Sequence, residues 1–158
     1  MSKPRSRATE IKAVSGYETS VARCALAIGL AVLGIVWIVV YINLAMDAAT
    51  YVKGFGLPKP SNPIPPMAKL KGYNFLIGFL LIFAGLVVAA DKRTPLGRGR
   101  GVVIGMLGCF LIGLIWVVVF YFVGTDTQIP LMRNLGQKNL VLGVAFMAVG
   151  FAYATKWE

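Results

Sequence analysis

Histidine is absent from this chain of 158 residues, which also has only six acidic side chains and two cysteines, Cys24 and Cys109. Without an imidazole the usual general base at neutral pH is missing, and Ser15, Ser20 and Ser61 have nothing to activate a serine nucleophile. Two thiols with neither His nor carboxylate beside them make no metal site. No catalytic, cofactor-binding or metal-binding residue is expected, and the chain reads as a non-enzyme. Charge of either sign is sparse as well. Asp, Glu, Lys and Arg make up 14% of the chain and hydrophobic residues 58%, where a soluble domain has about 45–50% apolar residues. With a mean hydropathy of +0.75, a water-soluble globular protein is not expected.

What is present is a set of four uncharged runs, 24–46, 72–90, 101–125 and 139–155, of 23, 19, 25 and 17 residues. A helix crossing the hydrocarbon needs about 17–25. The expected fold is an all-α membrane protein with four transmembrane helices. The alternative for the last run is a helix buried in a soluble core. The first run is too long for the about 7–15 apolar residues of a signal peptide and lacks an Ala-x-Ala ending. No Asp, Glu, Lys, Arg or His lies inside any run, which disfavours pumps and proton-coupled carriers.

The charges that exist lie between the runs. One side collects Lys3, Arg5, Arg7, Lys12, Arg23, Lys92, Arg93, Arg98, Arg100 and Lys156; the other has Lys53, Lys59, Lys69, Lys71, Arg133 and Lys138. The richer side is expected to be cytoplasmic, together with both termini. The net charge of +10 is scattered over tails and loops, so attraction to anionic lipid headgroups explains it better than nucleic-acid binding, which is not expected.

The chain repeats itself. Residues 29–41 lie on 108–120 at an offset of 79, matching Gly29, Gly34, Trp37, Val39 and Val40 to Gly108, Gly113, Trp116, Val118 and Val119. Residues 64–78 lie on 129–143 at an offset of 65, matching Ile64, Pro65, Met67, Leu70, Asn74 and Gly78 to Ile129, Pro130, Met132, Leu135, Asn139 and Gly143, with Gly85 on Gly150 further along. The offsets differ by 14, so the first copy carries 14 extra residues in its external loop. Each copy holds two runs and therefore returns to its starting side. The two are expected to be parallel-repeat hairpins rather than the inverted repeats of many transporters. The organisation is a basic cytoplasmic tail over 1–23, a first hairpin over 24–90 with a Pro-rich external loop 47–71, a basic linker over 91–100 and a second hairpin over 101–158.

Association of helices in lipid depends on close backbone approach. Gly29 with Gly34, Gly108 with Gly113, and Gly101 with Gly105 are candidate contacts, within the chain or to a partner's helix. Gly78 with Gly85 and Gly143 with Gly150 are seven apart and share a helix face. Trp37 and Trp116 fall inside runs as packing residues, while Tyr41, Tyr121 and Trp157 lie near run ends, as in aromatic belts. Cys24 and Cys109 are expected to pack toward the cytoplasmic ends. Pro58, Pro60, Pro63, Pro65 and Pro66 stiffen the first loop toward an extended segment, a spacer or a partner strand. Ile64-Pro65-x-Met67 and Ile129-Pro130-x-Met132 either set the chain's return to the bilayer or contact a partner.

These motifs carry a resemblance. GLIWVVVFYFVG followed by QIPLMRNLGQKNLVLGVAFMAVGFAYATKWE resembles the two-span CrgA family of actinobacterial cell-division proteins over about residues 105–158. The resemblance implies a scaffold or regulator of septum formation in the plasma membrane, enriched at the division site. Its partners would be divisome membrane proteins, penicillin-binding proteins and the tubulin-like Z-ring protein. The family pattern falls on Gly113, Trp116, Ile129, Pro130, Met132, Asn139, Gly143 and Trp157, and on Gly34, Trp37, Ile64, Pro65, Met67, Asn74 and Gly78. A duplicated hairpin further suggests self-association made covalent. The competing reading is an accessory structural subunit of a larger membrane complex, such as a respiratory assembly.

Overall fold

The computed structural model describes residues 19–53, 56, 58–124 and 128–156. Among these every regular element is helical. Helix α1, Val21–Val40, is capped by Ser20, whose hydroxyl accepts from the Arg23 amide. It runs through a π-helical turn, Tyr41–Ala45, into α2, Met46–Thr50, so that the helix is continuous over 30 residues. Then come α3, Pro65–Leu70, and α4, Tyr73–Ala89. A 3-10 turn, Pro95–Gly97, leads to α5, Arg100–Val123, followed by α6, Pro130–Leu135, and α7, Lys138–Ala154.

The composition of these helices dictates how they pair. α1 and α4 run antiparallel: a Cβ on Gly34 would meet the Gly78 carbonyl oxygen at 2.5 Å, and one on Gly85 would meet that of Ala27 at 2.7 Å. α5 and α7 repeat the arrangement, with Gly113 against the Gly143 oxygen at 2.4 Å and Gly150 against that of Met106 at 2.9 Å. Every pair is shifted by the sequence offsets of 79 and 65. Two hairpins of one design result.

The hairpins join through α4 and α7. The Phe83 and Phe146 rings pack at a tilt of 58° with centroids 4.9 Å apart, the Tyr153 hydroxyl donates to the Leu86 oxygen at 2.9 Å, and the Lys156 ammonium donates to the Ala90 oxygen at 3.1 Å. Numbers rise together along both helices, so α4 and α7 are parallel and the hairpins stand the same way up. Phe79 also meets the Trp116 ring edge at 6.4 Å. The linker between hairpins is folded: the Ser20 amide donates to the Arg93 oxygen at 2.9 Å, and Arg98 donates to the Thr19 hydroxyl at 2.7 Å.

The outside is apolar. Leu26, Ile28, Val32, Leu33, Ile35, Val36 and Val39 along α1 are each about half exposed or more, as are Ile104, Leu111, Ile112, Ile115 and Phe122 on α5. Soluble monomers rarely expose an apolar surface of this extent. The continuous helix Val21–Thr50 and α5 are long and apolar enough to cross a membrane; α4 and α7 are shorter apolar helices.

Two expectations about the first external loop are corrected. The first helix does not stop at Met46 but passes Asp47 to Thr50, so part of the 14-residue addition is helical rather than extended spacer. The π-helical turn redirects the chain, seating Tyr41, Ala45 and Met46 in the core, where the Met46 sulfur accepts from the Asn134 amide of the second hairpin at 3.2 Å. Pro65 and Pro66 likewise begin a helix instead of ending an extended strand, because the first helical positions need no amide hydrogen.

Candidate functional site

The repeated Ile-Pro-x-Met-x-x-Leu-x-x-x-Asn segment builds the same turn twice. Pro65 and Pro130 open the short helices α3 and α6, whose caps are Ile64 and Ile129. Met67 and Met132 are buried beneath them. The chain then reverses at Lys71 and Gly136, with φ of 48° and 51°. Asn74 and Asn139, at the second position of α4 and α7, are fully buried. The Asn74 amide donates to the Met67 oxygen at 2.7 Å and the Lys71 oxygen at 2.8 Å; that of Asn139 donates to the Met132 and Gly136 oxygens, both at 2.7 Å. A side-chain amide carries two hydrogens and so ties two backbone oxygens at the end of a short helix together, adding to the backbone bonds that the Gly136 N–H makes to Met132 and the Asn139 N–H to Gly136.

Next to each turn lies the helix crossing. Gly34 with Gly78 and Gly113 with Gly143 bring backbones together, and Ile38 and Val117 fill the matching space against Gly78 and Gly143. Trp37 and Trp116 flank the core, with their indole nitrogens buried and unpaired, as are the side-chain oxygens of Asn74 and Asn139. Gly29 and Gly108 are not brought together with anything: a Cβ on either meets no atom within 4 Å. The expected contact within the chain fails there because five residues turn a helix by about 140°, away from the face of Gly34 or Gly113. Trp157 lies outside the described residues.

Other expectations divide. Tyr41 is no belt residue; it is 2% exposed and meets Phe75 edge to face at 5.1 Å, whereas Tyr121 is 70% exposed. Gly105 lies against the Tyr153 ring and Gly101 against the Pro95 oxygen. Cys109 is buried and Cys24 half-buried, both as free thiols. Sequence reasoning missed the contact of Tyr153 with Leu86, whose only signal was one hydroxyl in an apolar helix. It also missed the ion pair of Arg23 with Asp91. The Arg93 backbone N–H, followed by the Arg23 guanidinium, holds the Asp91 carboxyl below the usual carboxylate range. Among the described residues no three His, Cys, Asp or Glu side chains come together. The chemistry of this surface is packing and hydrogen bonding.

A family profile described as cell division protein CrgA matches the chain twice, over residues 1–93 and again over 89–158. The chain belongs to the CrgA family. Its two matches are successive copies, so this member is a tandem duplication, and its family is one of cell-division proteins. A CrgA of Streptomyces avermitilis is 47% identical over 53 residues, which is 34% of this chain and 60% of that protein. Those of Mycobacterium avium and Mycobacterium tuberculosis are 33% and 34% identical over 80 residues, covering 45% of this chain and 86% of each relative. No solved structure matches.

Proposed function

We propose that the chain is a non-enzymatic membrane scaffold of cell division, in which four helices cross the plasma membrane with both termini cytoplasmic. The observation carrying this reading is the parallel packing of two CrgA hairpins through α4 and α7, which leaves most of the long apolar faces of α1 and α5 outward. Those faces suit lipid and the helices of septal membrane proteins, including penicillin-binding proteins, while the basic linker end suits anionic headgroups and the cytoplasmic Z-ring protein. The 17 residues of α4 and of α7 span about 26 Å, close to the hydrocarbon thickness of about 30 Å. Joining two hairpins supplies covalently the contact that separate hairpins would make by dimerising. A fluorescent fusion in dividing cells tests the reading: enrichment at midcell, with septal proteins in the pull-down, is expected. Uniform membrane fluorescence with respiratory enzymes co-purifying would replace it with the accessory-subunit reading.

A further inference from the structure

The two hairpins are not equal at the linker end. In the second, Phe110 of α5 and Phe151 of α7 pack edge to face at 5.6 Å beside Gly150. The positions related to them by the repeat hold Ala31 and Leu86, and Ala27 stands where the second copy has Met106. These smaller side chains leave a groove of about 270 Å³ between α1 and α4, walled by Ala27, Ile28, Ala31, Leu86 and Ala89 and roofed by Thr94–Leu96. Its lining exposes no polar surface.

The rim has the opposite character. Arg23 adjoins Cys24 of the wall, and Arg93 and Arg98 flank the roof; Asp91 is the one acidic residue at this end among the described residues, and it is paired with Arg23. The first turns of α1 and α5 open at the same end, adding positive dipole ends. We infer that this groove takes one acyl chain of an anionic glycerophospholipid from the leaflet on the linker side, with the phosphate held at the basic rim. The groove runs along α1 only from Cys24, at the end where the roof lies, to Ala31, about two helical turns, which suits a flexible chain and is short for a partner's helix. Lipid tails are as apolar as the groove, so shape admits the chain and rim charge selects the headgroup. The inference rests on the membrane-spanning reading above.

The test reconstitutes the full chain in vesicles of equal parts phosphatidylglycerol and phosphatidylcholine. Flotation reports insertion, and native mass spectrometry of the gently extracted protein reports retained lipid. Phosphatidylglycerol is expected on the protein about ten-fold above phosphatidylcholine. Ala31→Phe and Leu86→Phe, each installing the side chain that the second hairpin carries, are expected to lower that retention about ten-fold, and Arg93→Gln to weaken the headgroup preference alone. Retention unchanged in both filled-groove variants, equal retention of the two lipids, or a dimer in place of bound lipid that disappears in Ala31→Phe would each overturn the site. A chain that fails to float overturns the membrane reading itself; one that floats without phosphatidylglycerol overturns only the lipid site.

Discussion

At the residue scale the two asparagines are the most demanding positions. Each amide hydrogen of Asn139 meets a backbone oxygen at 2.7 Å inside a fully buried site. Each of these oxygens also accepts from a backbone N–H, Met132 from Gly136 at 3.1 Å and Gly136 from Asn139 at 3.2 Å. Removing the amide therefore deletes two buried hydrogen bonds, at about 0.5–1.5 kcal/mol each, and leaves a small cavity whose cost adds to them. Asn139→Ala and Asn74→Ala are each expected to destabilise the fold by about 2–4 kcal/mol, measured by denaturant titration in detergent followed by circular dichroism. Lys71 gives the opposite expectation. Its φ of 48° and ψ of −130° match those of Gly136 in the other copy, 51° and −131°, in a region that glycine occupies without strain. Lys71→Gly is expected to stabilise by about 1 kcal/mol, and Gly136→Lys to cost at least as much, in the same titration.

Asp91 supplies the pH dependence at this scale. Its carboxyl is lowered in the folded state, first by the Arg93 amide and then by Arg23, so its contribution is present at neutral pH. That contribution begins to fall as the pH drops below about 4, the ordinary aspartate range, and is gone once the lowered folded value is passed. Asp91→Asn is expected to remove this acid dependence, read as the change in unfolding midpoint between neutral and acid buffers.

At the element scale the crossing glycines separate from those that only share their composition. A Cβ at Gly113 falls 2.4 Å from the Gly143 oxygen, while one at Gly108 meets nothing. Gly113→Ala is expected to push α5 from α7 and to cost about 1–3 kcal/mol, with Gly108→Ala neutral or slightly stabilising; thermal unfolding of the two variants side by side decides. The comparison also shows what the sequence made legible. Gly34, Gly78, Asn74 and Pro65 stood out because each meets a backbone demand that few residue types satisfy, and the demand recurs at a fixed offset. The π-helical turn and α2 did not stand out. Asp47 interrupts the uncharged run and five prolines follow, a pattern that reads as the end of a helix, whereas burial of Tyr41, Ala45 and Met46 carries the helix on. Such burial is a tertiary effect and leaves no local signature.

At the scale of the whole molecule, the parallel arrangement of hairpins was readable from crossing parity, but the helices that would join them were not. α4 and α7 meet through Phe83, Phe146, Leu86 and Tyr153, and the repeat does not mark these positions as special: Tyr153 corresponds to Val88 in the first copy. Tyr153→Phe keeps the ring and deletes the bond to Leu86. It is expected to loosen the hairpins by about 1 kcal/mol, seen as earlier separation of two fluorophores, one per hairpin, in a denaturant series. A second expectation concerns mutual support. Residues 101–158 inserted alone expose Phe146 and Trp116, and are expected to self-associate in vesicles more strongly than the full chain, as read by energy transfer between labelled copies.

The folded connection over residues 91–100, tied down through Ser20 and Arg98, makes the meeting of the two hairpins independent of abundance. Separately synthesised hairpins find one another according to how crowded the bilayer is, and come apart when scarce. Here every polypeptide is born with its neighbour in tow at an effective concentration set by a tether of a few residues. Each half can then specialise without losing its mate, and a cell holding only a handful of copies still has all of them assembled.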